Sequence, residues 1–440
     1  MTTHTKPKKH LSFTALRKSF SAVLKAIPEK RDKNKSTYSQ HDMVMSAFAC
    51  MYFQEPSFLA FQQRLKNKLQ SSNLKTLFDV KDIPKDTQLR DVLDTIPTEN
   101  FSDVFSHMFE QLRRHHHIKQ FEVIPGIYLC SVDGSQYHGS KKVSCEHCLT
   151  KQHKNGEVSY SHSVLQGAIM HPSQRQVIPM MPEIIRNEDG TKKQDCELNA
   201  TKRFLSQLRQ RHPKLGLMIC GDGLFSHQPM IEETLKQAMH YLYVAKPDDH
   251  TYMMEWISVY KELPCYQYKD DKGRTHHYRW QNKIPLNGKE NTVEVNWLEY
   301  QLINSEGKIT FKNSWVTDVN VTRDNIKTLV NAGRCRWKIE NECFNTLKNQ
   351  GYHLTHNYGH GKEYLSDNMY ILTLLAFYFH QIFELTDSKY QACRVTYGSK
   401  RQLWENLRVT VSFLLFDSWE DLLDNLLSNP EPSEEYRYKP

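Results

Sequence analysis

No apolar run in this 440-residue chain is long enough to cross a bilayer. The longest, Met369 to Phe379, gives way to His380 and Gln381 well short of a membrane span. The lysines near the start are not followed by an apolar stretch, so the pattern of a secretory signal is missing. Ten cysteines, many of them inside strand-like apolar runs, do not make a disulfide framework and read as reduced intracellular thiols. There is no G-x-x-x-x-G-K-[ST] loop to cradle a nucleotide phosphate. No helix-turn-helix pattern is sharp enough to name a recognition helix. These absences predict a cytoplasmic protein with no membrane partner.

What is present fits an ordinary soluble globular protein. Apolar residues make up 39% and charged residues 25%, and the length allows two or three domains. The net charge of +8 is uneven, because Met1 to Ser36 holds ten Lys or Arg against Glu29 and Asp32. Such an arm suits a polyanion, of which nucleic acid is the commonest, or is simply a solvated terminus.

Helical spacing governs the stretch from about Leu11 to Gln120, with Phe13, Leu16, Phe20, Val23 and Leu24 as the first apolar face and Pro28, Pro56, Pro84 and Pro97 as breaks. The texture changes at Pro125-Gly126. Ile127 to Val132 reads as a buried strand delivering Asp133 at its end, and Leu215 to Cys220 as a second delivering Asp222. Between them come strands over His162 to Met170 and Gln176 to Met181 and a helix over Asp195 to Arg211. A helix and a strand follow. A strand–helix–strand crossover sets its strands parallel and close together, and ligand sites favour the carboxyl ends of such strands. Residues 247–321 read as a β-rich insertion, and helices return from Asp324 to Leu427 before a polar tail.

The sharpest segment is Arg334-Cys335-Arg336-Trp337-Lys338-Ile339-Glu340 and its continuation to Lys348. On a straight helix Arg336 and Glu340 share a face, so an ordinary ion pair is one explanation. A carboxylate turned toward a core is costly without compensation, which is the other starting point. Glu342 is the competing acid; the Arg spacing favours Glu340.

Taken with Leu129-Cys130-Ser131-Val132-Asp133-Gly134 and Met218-Ile219-Cys220-Gly221-Asp222-Gly223, in that order, this helix resembles the DDE transposases of bacterial insertion sequences. The resemblance, over roughly Gly126 to Phe383, is to the cut-and-paste group with a β-strand insertion in a ribonuclease-H-like core. It implies an α/β fold with that mixed-sheet core at 121–246 and 322–390 and the insertion at 247–321. A helical DNA-end-binding domain at 1–120 and C-terminal helices with a disordered tail at 391–440 would flank it.

The same resemblance implies Asp133, Asp222 and Glu340 as catalytic metal ligands for Mg²⁺, with Mn²⁺ as a substitute. Arg336, Lys338 and Lys348 become DNA contacts. Hard divalent cations seek such oxygen clusters, and two of them can clamp an in-line displacement at phosphorus. The partners implied are double-stranded DNA, both terminal inverted repeats and target, handled by a homodimer near the nucleoid. Two positions depart from the family pattern: Gly333 stands where a Tyr is usual, and Leu347 stands where a Lys is usual, with Lys348 one step on. A DNA-binding regulator derived from a transposase, and a nuclease that does not join strands, are the alternatives.

In the insertion, Trp256, Trp280, Trp297 and Trp315 could stack on an unpaired base or fill a core. Cys145-x-x-Cys148, with His147, His153 and His162 near in sequence and Cys196 farther along, could hold zinc or be a free-thiol loop, since a single C-x-x-C lacks the second ligand pair.

Overall fold

A computed structural model describes residues 10–32, 36–65, 67–187 and 194–428. Part of the basic arm (1–9 and 33–35) and most of the polar tail lie outside these residues. In chain order the helices are α1 (Phe13–Ala26), α2 (Gln40–Tyr52), α3 (Phe58–Leu65), α4 (Lys68–Phe78), α5 (Asp86–Leu93) and α6 (Ser102–Arg114). The strands β1 (Glu122–Ile124), β2 (Ile127–Ser140), β3 (Leu149–Gln152), β4 (Val158–Met170), β5 (Ile178–Pro179) and β6 (Glu183–Ile185) follow. Next come α7 (Glu197–Arg211), β7 (Gly216–Gly221), α8 (Gln228–Lys236), β8 (His240–Val244) and α9 (Thr251–Val259). A run of four strands comprises β9 (Cys265–Lys269), β10 (Thr275–Pro285), β11 (Glu294–Ile303) and β12 (Ile309–Thr317). The chain closes with α10 (Ile326–Cys335), α11 (Asn345–Asn349), α12 (Leu365–Thr386), α13 (Ser388–Thr396), α14 (Lys400–Phe413) and α15 (Trp419–Leu427).

The fold class is α/β, as expected, but the chain divides into two units along lines the sequence did not mark. One unit takes residues 1–117, 137–162 and 345–440; the other takes 118–136 and 163–344.

The first unit is helical and joins the two ends of the chain. Ser12 caps α1 by accepting from the Ala15 N–H at 3.3 Å, and the apolar face of α1 is buried. Within the basic arm, then, a core helix stands where a solvated terminus was one reading. Phe13 lies 5.2 to 6.5 Å, ring centre to ring centre, from Tyr52, Phe78, Phe379, Phe383 and Trp419. Those rings come from α1, α2, α4, α12 and α15, so the expected separation of an N-terminal helical domain from C-terminal helices does not hold. Buried Asn73 adds polar ties, its amide donating to the carbonyls of Val411 and Leu414 while its oxygen accepts from the Phe416 N–H. Helix α12 is long and apolar enough to cross a membrane by length and composition, but 83% of its apolar window is buried inside the protein. Burial in this core accounts for its character. The excursion 137–162 contributes the antiparallel β3–β4 pairing, from Leu149 opposite Ser161 to Gln152 opposite Val158.

The second unit is a mixed sheet in the order β4-β2-β7-β8-β12-β11-β10-β9. Strands β2, β7 and β8 run parallel, linked by crossovers that include α7 and α8. Strands β5 and β6 pair antiparallel with β4. The stretch read as an insertion is not set apart: β12 pairs antiparallel with β8, Trp315 opposite Val244, and the meander β9 to β12 extends the core sheet. It also contains one helix, α9. Trp280, Trp297 and Trp315 are buried in this unit and fill its core; of the four tryptophans, Trp256 alone is exposed.

Candidate active site

The sheet brings the two aspartates to one level. Strands β2 and β7 pair in parallel register from Ile127 opposite Gly216 to Ser131 opposite Cys220. Asp133 and Asp222 each lie two residues beyond that last pair, so they share a height and, by the two-residue alternation of strands, a face. Neither is fully buried. Strand β2 does not end at Val132, as the sequence implied, but continues to Ser140; what ends at Ser131 is its pairing with β7. Asp222 caps the turn Gly223–Phe225, its Oδ1 accepting from the Leu224 N–H at 2.8 Å.

The third acid comes from a broken helix. Helical texture runs through this stretch in sequence, yet α10 stops at Cys335 and a π-helical turn spans Ile339–Phe344 before α11. The wider turn inserts a residue into the repeat, so Arg336 and Glu340 lose the common face that a straight helix would give them. Ile339, Cys343 and Phe344 point into the core while Glu340 is exposed, which corrects the expectation of a core-facing carboxylate. Nor does Arg336 pair with Glu340. Its Nη1 lies 3.5 Å from Asp133 Oδ2.

Electrostatics tie the acids together. The Asp133 carboxyl is pushed up to about 6, chiefly by burial and further by the charges of Asp222 and Glu340, against the opposing pull of Arg336. Glu340 is thus the helix carboxylate felt at Asp133; Glu342 is half-buried two residues on. No three of these acids bring ligand atoms within 4.8 Å of one another; among the described residues only Cys145, Cys148, His162 and His360 do so.

A fourth carboxylate escaped the sequence reading. Glu197, in the first turn of α7, is pushed up to about 7 by burial, then by Asp133 and Asp222. In sequence it looks like an ordinary acid at a helix start, where the macrodipole favours one. Only the sheet topology carries it to Asp133. Gly134 is what permits the approach: a Cβ there would lie 2.5 Å from Glu197 Oε2.

The remaining candidates sort by their surroundings. Lys338 does not project as a free point charge, since its ammonium donates to the carbonyls of His171 (2.8 Å), Pro172 (3.1 Å) and Gln174. It pins that loop. Lys348 lies half-exposed on α11, in the first unit, and Leu347 beside it is buried. Gly333, at the position where a Tyr would be usual, faces the Trp315 indole, whose Nε1 lies 2.5 Å from where a Cβ would be. A tyrosine cannot fit there without moving a buried tryptophan. Cys145 and Cys148 belong to the first unit.

A scan against protein-family models finds no match for the chain, and a search of curated proteins finds no relative.

Proposed function

We propose that the chain is a DDE-type transposase with a ribonuclease-H-like core, cutting double-stranded DNA at the inverted repeats of a mobile element and joining the freed end to target DNA. The observation that carries this reading is the matched register of Asp133 and Asp222, two residues past the last β2–β7 pair, with Glu340 acting on Asp133 from the π-helical turn. The layout of antiparallel strands followed by a parallel strand–helix–strand crossover supports the core assignment.

The donor set suits Mg²⁺. It offers carboxylate oxygens alone, and Asp133, raised chiefly by burial and further by the charges of Asp222 and Glu340, would gain a counter-charge from a divalent cation. Asp133, Asp222 and Glu340 would hold the metal, with Glu197 beside them. Bound there, Mg²⁺ supplies Lewis-acid polarisation of the phosphodiester oxygens.

The protein's own groups do the positioning. Arg336, now partnered with Asp133, is the planar cation at hand for a DNA phosphate. Glu197, a buried carboxylate beside Asp133 and Asp222, can take up the proton that an attacking hydroxyl releases. In the first step water attacks phosphorus, leaving a 3′-hydroxyl and a 5′-phosphate. In the second that 3′-hydroxyl attacks a target phosphodiester and displaces a target 3′-hydroxyl. One ester is exchanged for another, so no nucleotide triphosphate is consumed. Two element ends must be handled together, so a homodimer on DNA goes with the reading, as does a cytoplasmic, nucleoid-associated location.

The test is joining. A duplex made from the DNA flanking this reading frame, with its 3′ end already cut, should join covalently to plasmid when Mg²⁺ is present and fail to join in EDTA. Cleavage without joining would indicate a nuclease. Binding with neither would indicate a regulator.

A further inference from the structure

Four side chains that the acid chemistry does not use converge in the first unit. Cys145 and Cys148 stand on the loop between β2 and β3, His162 on β4, and His360 on the loop leading into α12. Their ligand atoms all lie within 4.8 Å of one another. The Cys145 and Cys148 sulfurs are 3.7 Å apart, and His162 Nε2 is 3.5 Å from the first and 3.4 Å from the second. His360 Nε2 is 3.4 Å from Cys148 Sγ and 3.1 Å from His162 Nε2.

These are the edges of a zinc tetrahedron. With Zn–S near ~2.3 Å and Zn–N near ~2.05 Å, tetrahedral angles require edges of ~3.8 Å between sulfurs, ~3.6 Å between sulfur and nitrogen and ~3.3 Å between nitrogens. All five measured edges fall within a few tenths of an ångström of those values. A disulfide is a poor account, since its sulfurs would sit ~2.05 Å apart.

The surroundings aim the ligands. His162 Nδ1 lies 3.4 Å from Asp367 Oδ1, with both side chains buried, and the Tyr137 hydroxyl donates to that same oxygen at 2.5 Å. His360 Nδ1 donates to the Gly361 carbonyl at 3.0 Å. Each imidazole therefore turns Nε2 to the centre, the arrangement that outer partners impose on metal-bound histidines. The backbone just after His360 is fixed too: the Asp94 carboxylate accepts the N–H groups of Lys362, Glu363, Tyr364 and Leu365 at 2.9 to 3.0 Å.

We propose that Cys145, Cys148, His162 and His360 bind one Zn²⁺ with four protein ligands and no open position, clipping the 137–162 excursion to the segment that enters α12. Two thiolates and two imidazoles select zinc over the hard cations of the acid site. Cys145, Cys148 and His162 were visible in sequence as zinc candidates; His360, far along the chain, gave no signal.

The test uses the full chain, expressed with zinc in the medium and freed of loosely bound metal by gel filtration. Elemental analysis should find about one zinc per chain. Replacing it with Co²⁺ should give the intense visible bands and thiolate charge transfer of a tetrahedral S₂N₂ site. Cys148→Ser and His360→Ala should lose the metal, while Cys265→Ser, an exposed thiol elsewhere, should keep it. Should the first two variants fail to fold, Cys145→His preserves four ligands and should keep the metal with a shifted cobalt spectrum. A folded wild-type chain without zinc, or one with Cys145 and Cys148 joined in a disulfide, would overturn the proposal, and neither result depends on any activity toward DNA.

Discussion

Replacing Asp133, Asp222 or Glu340 singly by Ala should lower magnesium-dependent cleavage and joining by at least about 10³-fold while leaving binding to element ends intact. The three should fail to nearly the same degree, because groups that act as one constellation are not additive. Folding should survive. Asp133 is a half-buried carboxylate raised to about 6 by burial and like charge, so its removal relieves repulsion, and the cost of leaving Arg336 unpaired is small for a partly exposed guanidinium. Melting temperatures should therefore stay close to wild type. The milder Glu197→Gln keeps the shape beside Gly134 and removes only the ionisable group. It should reduce the rate less than the other three and shift the pH profile, as loss of a proton acceptor would. Normal cleavage in all three alanine variants would end the catalytic reading.

Phe13→Ala should cost about 3–5 kcal/mol of stability, the range for emptying a buried aromatic site. The side chain is 1% exposed and meets rings from both ends of the chain. The loss would be read by denaturant unfolding, using the fluorescence of Trp404 and Trp419, which share that core. If α1 were a loosely attached basic arm, the same substitution would cost under about 0.5 kcal/mol. A chain cut before α12 should likewise fail to keep α1 to α4 folded, since their rings pack against Phe379, Phe383 and Trp419.

Local pattern was enough for most elements. The strand–Asp runs at Asp133 and Asp222, the helix over Glu197–Arg211 and the apolar α12 could all be read from spacing, because each buries a face that its own residues define. The π-helical turn at Glu340 could not, since no residue type between Arg336 and Phe344 distinguishes a widened turn from a regular one. Glu197 was missed for a different reason: its significance comes from lying beside Gly134, a contact between residues 63 positions apart in sequence. Long-range closure also hid the helical core shared by the two ends of the chain and the place of His360 beside Cys145, Cys148 and His162. Gly333 works the other way. It looked like a departure in the helix signature, and the structure gives it a steric reason in Trp315.

The most direct measurement is titration of the full chain with Mn²⁺, followed by calorimetry or by loss of the free-ion paramagnetic signal. At pH 8 Mn²⁺ should bind, and Asp133→Ala and Asp222→Ala should abolish that binding. At pH 5, below the values of about 6 for Asp133 and about 7 for Glu197, both carboxyls hold protons that the cation must displace, so binding should weaken sharply. Mn²⁺ binding that is equal in wild type and both variants, or indifferent to pH across that range, would contradict the claim that these acids share a divalent cation.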